Sequence, residues 1–181
     1  MAESETSKYR TIEIRAALTS RSYKAWIICL AVAAVWMAAI IAPSVFTYLG
    51  MDAAATAVFS FFGWTCHQMP DRSFHWLGHQ LGVCSRCIGI YGGLLVAFIA
   101  YPFFKKIDDI EPLPRFWLIA SVIPIGIDWS LTFFGVWENT FLSRFVTGMI
   151  LGYACGFYIV PGAVEIAQYT YRPPKETKAS T

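Results

Sequence analysis

Residues Cys66 to Gly93 read C-H-Q-M-P-D-R-S-F-H-W-L-G-H-Q-L-G-V-C-S-R-C-I-G-I-Y-G-G and hold three of the chain's five cysteines, all three histidines and two arginines. Thiolates and imidazoles bind soft and borderline metals, so Cys66, His67, Cys84 and Cys87 form a candidate ligand set for Zn(II) or a similar ion. The Cys84-x-x-Cys87 spacing suits a zinc knuckle. The Cys66-His67 pair is less usual, because adjacent residues seldom both reach one ion. Four ligands would close a structural site, whereas a catalytic site would need an open position, as when His67 points away.

The same thiols admit a second chemistry, thiol–disulfide exchange. Here Cys84 and Cys87 are the active pair, Cys66 is a shuttle, and a helix N-terminus with Arg86 stabilises thiolate. The analogy is with four-helix membrane oxidoreductases that pair an outward C-x-x-C with a quinone. Attachment of c-type haem is excluded, because it needs histidine directly after the second cysteine and Ile88 stands there. The chain also lacks a phosphate loop, a nucleophile elbow and an H-E-x-x-H motif.

The elements that carry these residues belong in a membrane. Of the 181 residues 56% are hydrophobic and only 14% charged, which is not the balance of a soluble domain. Four apolar runs, Ala25 to Phe46, Ile88 to Phe104, Phe116 to Phe134 and Phe145 to Pro161, approach the ~20 residues needed to cross the hydrocarbon core. An all-α, polytopic protein with four transmembrane helices is expected, with the lipid bilayer as partner. A formal net charge of +2 does not mark a nucleic-acid binder, and none is expected.

Lysine and arginine placement sets an orientation. Lys8, Arg10, Arg15, Arg21 and Lys24 precede the first run, Lys105, Lys106 and Arg115 lie in the middle loop, and Arg172, Lys175 and Lys178 follow the last run. Only Arg72, Arg86 and Arg144 fall on the opposite side. The positive-inside rule then places both termini in the cytoplasm of a multi-pass cell-membrane protein, with the Cys/His stretch outward, on a face that is usually oxidising.

Along the chain, residues 1–24 read as a cytoplasmic leader in which Ile12, Ile14, Ala17 and Leu18 give at most a short amphipathic surface helix. Residues 25–171 form one membrane domain with its Cys/His loop at 66–87, and 172–181 a disordered cytoplasmic tail. The first span is expected to end near Ala42-Pro43. Cys29 within it reads as a small buried hydrophobe. Met51 to Trp64 is apolar but short, and suits an interfacial or re-entrant helix. Gln68 to Val83 reads as an ordered loop, and the second helix begins at or just before Cys84, with the two sulfurs one turn apart on one face. Gly89 and Gly93, and Gly148, Gly152 and Gly156, recur every four residues, a spacing that lets helices pack closely and also offers faces for a homo-oligomer.

The third apolar run carries Asp128, a costly carboxylate that needs a partner inside the bundle. Arg144 is the expected partner, with Asn139 and Thr147 nearby. The pair reads either as a structural clasp or as the functional carboxylate of a small transporter or intramembrane enzyme, with the cysteines as a clasp.

The motifs C-H-Q-x-P-x-R-S-F at Cys66 to Phe74, G-x-Q at Gly78 to Gln80, C-x-R-C-x-G-I-Y-x-G at Cys84 to Gly93, P-x-x-I-D at Pro124 to Asp128 and R-x-x-T-G at Arg144 to Gly148 together resemble the membrane proteins grouped as domain of unknown function 2085. The resemblance takes in His67 and adds Arg72, Ser73, Gln80, Arg86 and Thr147 as supporting polar residues, while His75 and His79 look less like fixed members. It implies a topology and no activity.

Overall fold

The computed structural model describes residues 2–171, and their side chains from Thr11 onward; the expected tail, 172–181, lies outside the described residues. Five helices follow in order: α1 Ala2–Tyr48, α2 Asp52–Gly63, α3 Ser85–Phe104, α4 Arg115–Phe133 and α5 Phe141–Tyr169. Four of them, all but the 12-residue α2, are long and apolar enough to cross a membrane. With four spans, both ends of the domain lie on one side and the Cys/His loop on the other.

The bundle is centred on α3 and α5, which run parallel and touch through their glycines. A β-carbon on Gly89 or Gly93 would strike the carbonyls of Phe145 and Met149, and one on Gly148 or Gly152 those of Arg86 and Ile90. A β-carbon on Gly156 would strike the methyl group of Ala97. In lipid, where apolar side chains gain little by leaving solvent, such backbone approach is a main source of helix association. These five glycines are taken up in the contact between α3 and α5.

Below this seam Ala97, Phe98 and Tyr101 of α3 pack with Phe157, Val160 and Val164 of α5. Helix α1 crosses both in the opposite sense, with Trp26 Nε1 donating to Phe98 O at 2.8 Å and Cys29 packed against the same cluster. The leader differs from expectation. Residues 2–42 contain neither glycine nor proline, and the leader continues into the first span as a single helix instead of lying apart as a surface helix. Ser22 Oγ and Arg21 Nη1 dock this stretch on α5, at Gln168 Nε2 (2.9 Å) and Ala167 O (3.5 Å). The helix also passes Pro43 and ends at Tyr48.

Helix α2 turns back along α1, with Trp36 edge-on to Phe62 at 5.3 Å and to Phe61 at 5.8 Å. Its 12 residues return the chain by about 18 Å, so Cys66 arrives beside Ile40. Helix α4 is the outlier, packed mainly on α5.

Candidate functional site

Two segments deliver the three sulfurs. Helix α2 ends at Gly63 and Cys66 follows in its last turn, its N–H bonded to Phe62 O at 2.9 Å. Cys84 is the N-cap of α3 and Cys87 stands one turn inside it, which puts both at the positive end of the helix dipole. The Sγ atoms of Cys66, Cys84 and Cys87 all lie within 4.8 Å of one another. A tetrahedral zinc with Zn–S bonds of ~2.3 Å needs sulfurs about 3.8 Å apart, so small rotamer shifts would satisfy it.

The intervening loop is held in place by Gln68. Its backbone is left-handed, with φ 49°, a conformation uncommon outside glycine and asparagine. Its side-chain amide donates to Phe59 O (2.8 Å) and Gly82 O (2.7 Å), and its backbone carbonyl accepts from Gln80 Nε2 (2.7 Å). One residue thereby ties α2, the loop and the approach to α3. The loop itself is a 3-10 turn, Pro70–Arg72, followed by a two-residue hairpin pairing His75 with Gln80 and Trp76 with His79. Leu77 and Gly78 make its turn with φ 53° and 79°, the two positive values a mirror-type turn requires. Ser73 is buried and donates to Met69 O at 2.9 Å. Ser44 Oγ of α1 reaches the Trp76 and His79 carbonyls, and Gly82 N–H donates to Ile40 O at 2.8 Å. The loop is thus ordered, as expected, and sewn to α1.

The sulfurs sit among donors. Cys66 is only 7% exposed, and its Sγ accepts the backbone N–H groups of Cys84 (3.2 Å) and Gln68 (3.5 Å). The Cys84 thiol is held well below its ordinary pKa, chiefly by hydrogen bonding from Cys66 and Cys87, with the Cys87 and Arg86 amides adding to it. Thiolate is the form that binds metal and that attacks disulfides.

Beside the sulfurs opens a cleft of 280 Å³ whose wall also includes His67, Arg72, Arg86 and Arg144. His67 is exposed and lines the cleft, but its ring nitrogens are not among the ligand atoms that converge: of the four expected ligands, Cys66, Cys84 and Cys87 come together. His75 and His79 lie in the hairpin, outside the cleft.

Asp128 is 8% exposed and pairs with Arg86, not with Arg144. Asn139, in the α4–α5 loop, joins the two: its Nδ2 donates to Asp128 Oδ2 at 3.2 Å and its Oδ1 accepts from Arg144 Nε at 2.6 Å. Arg86 is two positions from Cys84 and one from Cys87, so α4 is tied by its carboxylate to the sulfur-bearing turn of α3. Thr147 takes no part in the cleft; its hydroxyl donates within α5, to Ser143 O at 2.7 Å. Gln68 had no expected role at the site, and Asn139 was expected only near the Asp128–Arg144 pair, not as the bridge between them. Gln68 stood in the C-H-Q motif beside two candidate ligands, whereas Asn139 carried no signal beyond proximity to Arg144.

With this geometry in hand, comparison with known proteins places the chain. The family described as a predicted membrane protein, DUF2085, matches residues 66–158. The chain belongs to this family. The match begins at Cys66 and takes in all three sulfurs, Arg86, Asp128, Asn139 and Arg144, while α1 and α2 precede it. An uncharacterised protein of Methanocaldococcus jannaschii is 40% identical over 121 residues, 64% of this chain and 78% of that protein. A second, from Methanothermobacter thermautotrophicus, is 36% identical over 91 residues, 50% of this chain and 80% of its own length. No solved structure matches the chain.

Proposed function

We propose that this multi-pass membrane protein binds a thiolate-preferring metal ion, zinc being the first choice, through Cys66, Cys84 and Cys87. The observation that carries the reading is the mutual approach of three sulfurs within 4.8 Å from two separate parts of the chain. A disulfide exchanger needs two converging thiols; three, with backbone N–H groups directed at Cys66, is the arrangement of a metal knuckle. Three protein ligands leave a tetrahedral ion one position open, and the sulfurs line a cleft. That favours a site that takes a ligand over a closed structural one. The excess of lysine and arginine on the side of the termini supports an outward-facing site.

One observation favours thiol–disulfide exchange as a second reading: the depressed Cys84 thiol at a helix N-terminus, within reach of Cys66 and Cys87. Elemental analysis of protein purified in detergent without added metal, alongside a thiol count before and after reduction, separates the two. About one equivalent of metal, lost in Cys84→Ser, is the expected result. Absence of metal together with a Cys84–Cys87 disulfide that is reduced by dithiothreitol and reoxidised by a quinone, which leaves as quinol, would overturn the metal reading in favour of the second.

A further inference from the structure

The arginines on the site side of the membrane are Arg72, Arg86 and Arg144, and all three line the same cleft. They come from three elements, the 3-10 turn, α3 and α5. Arg86 has Asp128 as counter-ion, yet its Nε is buried without a partner. Arg144 is only 9% exposed, and among the described residues its side chain hydrogen-bonds to the neutral amide of Asn139. Among the described residues no carboxylate forms an ion pair with Arg144 or Arg72. A guanidinium withdrawn from water is costly unless an anion meets it. Part of that anion is the site itself, since the sulfur-bearing residues line the same cleft as Arg144. It does not suffice. Three thiolates around a divalent ion carry one net negative charge and Asp128 a second, against three guanidiniums.

We propose that the cleft binds a phosphate group, held by Arg72 and Arg144 beside the three sulfurs. The charge balance rests on the metal reading above. Guanidinium forks approaching from different elements suit a tetrahedral oxyanion, which offers oxygens in several directions; a planar carboxylate occupies one fork. The 280 Å³ cleft has room for such a group. Free phosphate and the headgroup of an anionic phospholipid share this chemistry.

The test is calorimetric titration of inorganic phosphate into the protein in a non-ionic detergent, with sodium chloride at matched ionic strength as control. The same samples are assayed for metal. Saturable binding is expected, weakened about tenfold or more in Arg72→Gln and unchanged in Arg115→Gln, on the other side of the membrane. Arg72 is exposed, so its replacement leaves the fold intact; Arg144→Lys, which keeps the charge and loses the fork, is the second variant. In parallel, thermal stability is compared in phosphatidylcholine nanodiscs with and without phosphatidylglycerol. Stabilisation by phosphatidylglycerol that disappears in Arg72→Gln, with no binding of free phosphate, identifies the headgroup as the source. Absence of both effects, or effects equal in wild type, Arg72→Gln and Arg144→Lys, overturns the proposal. Metal present without either effect overturns this inference alone, whereas Arg72-dependent binding in protein devoid of metal overturns only the metal reading.

Discussion

Asp128 of α4 pairs with Arg86 of α3, the residue immediately before Cys87, and through Asn139 reaches Arg144 of α5. One carboxylate thus joins three helices at the turn that carries the sulfurs. Helix α4 has few other attachments, because it packs mainly on α5. Removing either partner leaves a largely buried charge alone, at a cost of about 3–5 kcal/mol. Asp128→Asn and Arg86→Gln should each lower thermal stability in detergent, and the double change should lose less than the sum. Strictly additive losses would show that the two charges do not act as a pair.

The metal site should discriminate between adjacent residues. Cys66→Ser, Cys84→Ser and Cys87→Ser are each expected to remove most bound metal, and His67→Ala to retain it, because the His67 ring lies outside the converging sulfurs. Elemental analysis of the four variants decides this. Loss of metal in His67→Ala equal to that in the cysteine variants would restore the imidazole as a ligand.

Gln68 is expected to matter to the site without touching metal. Gln68→Ala removes hydrogen bonds to Phe59 and Gly82 and leaves their carbonyls to find other donors, a loss of about 1–3 kcal/mol. Metal should then leave faster under a chelator, at unchanged stoichiometry when metal is in excess. A release rate equal to wild type would separate the loop clasp from the site.

The glycine seam makes a prediction about packing. Gly152→Ala and Gly89→Ala place a methyl group inside the backbone of the facing helix, whereas Gly92→Ala and Gly162→Ala meet nothing within 4 Å. Overpacking of this kind costs typically ~1–3 kcal/mol and more where backbone must move. Thermal unfolding in detergent should therefore fall clearly for the first two and stay near wild type for the others. Equal behaviour of all four would disprove a close α3–α5 contact.

Orientation is tested with single exposed positions on each side. A membrane-impermeant thiol reagent should label E138C on intact cells, above the background of the parent protein, and K106C only after lysis. Labelling in the reverse order would put the site in the cytoplasm.

Four apolar runs, the polar breaks between them and the Cys66 to Gly93 motif were sufficient to establish a four-span helical protein with a thiol cluster between the first two spans. These are properties of one chain segment at a time: bilayer thickness dictates span length, and a C-x-x-C at a helix start presents both sulfurs on one face whatever the neighbours do. Glycines four apart likewise announced close packing, but not that α3 and α5 would satisfy each other within the chain. What lies between elements was decided only in three dimensions. That Cys66 meets Cys84 and Cys87 depends on the path of the loop between them, which turns through a left-handed backbone at Gln68 that no spacing encodes. Likewise Asp128 meets Arg86 directly and Arg144 only through Asn139, an arrangement that depends on how α4 packs on α5 and on where the connecting loop places its asparagine.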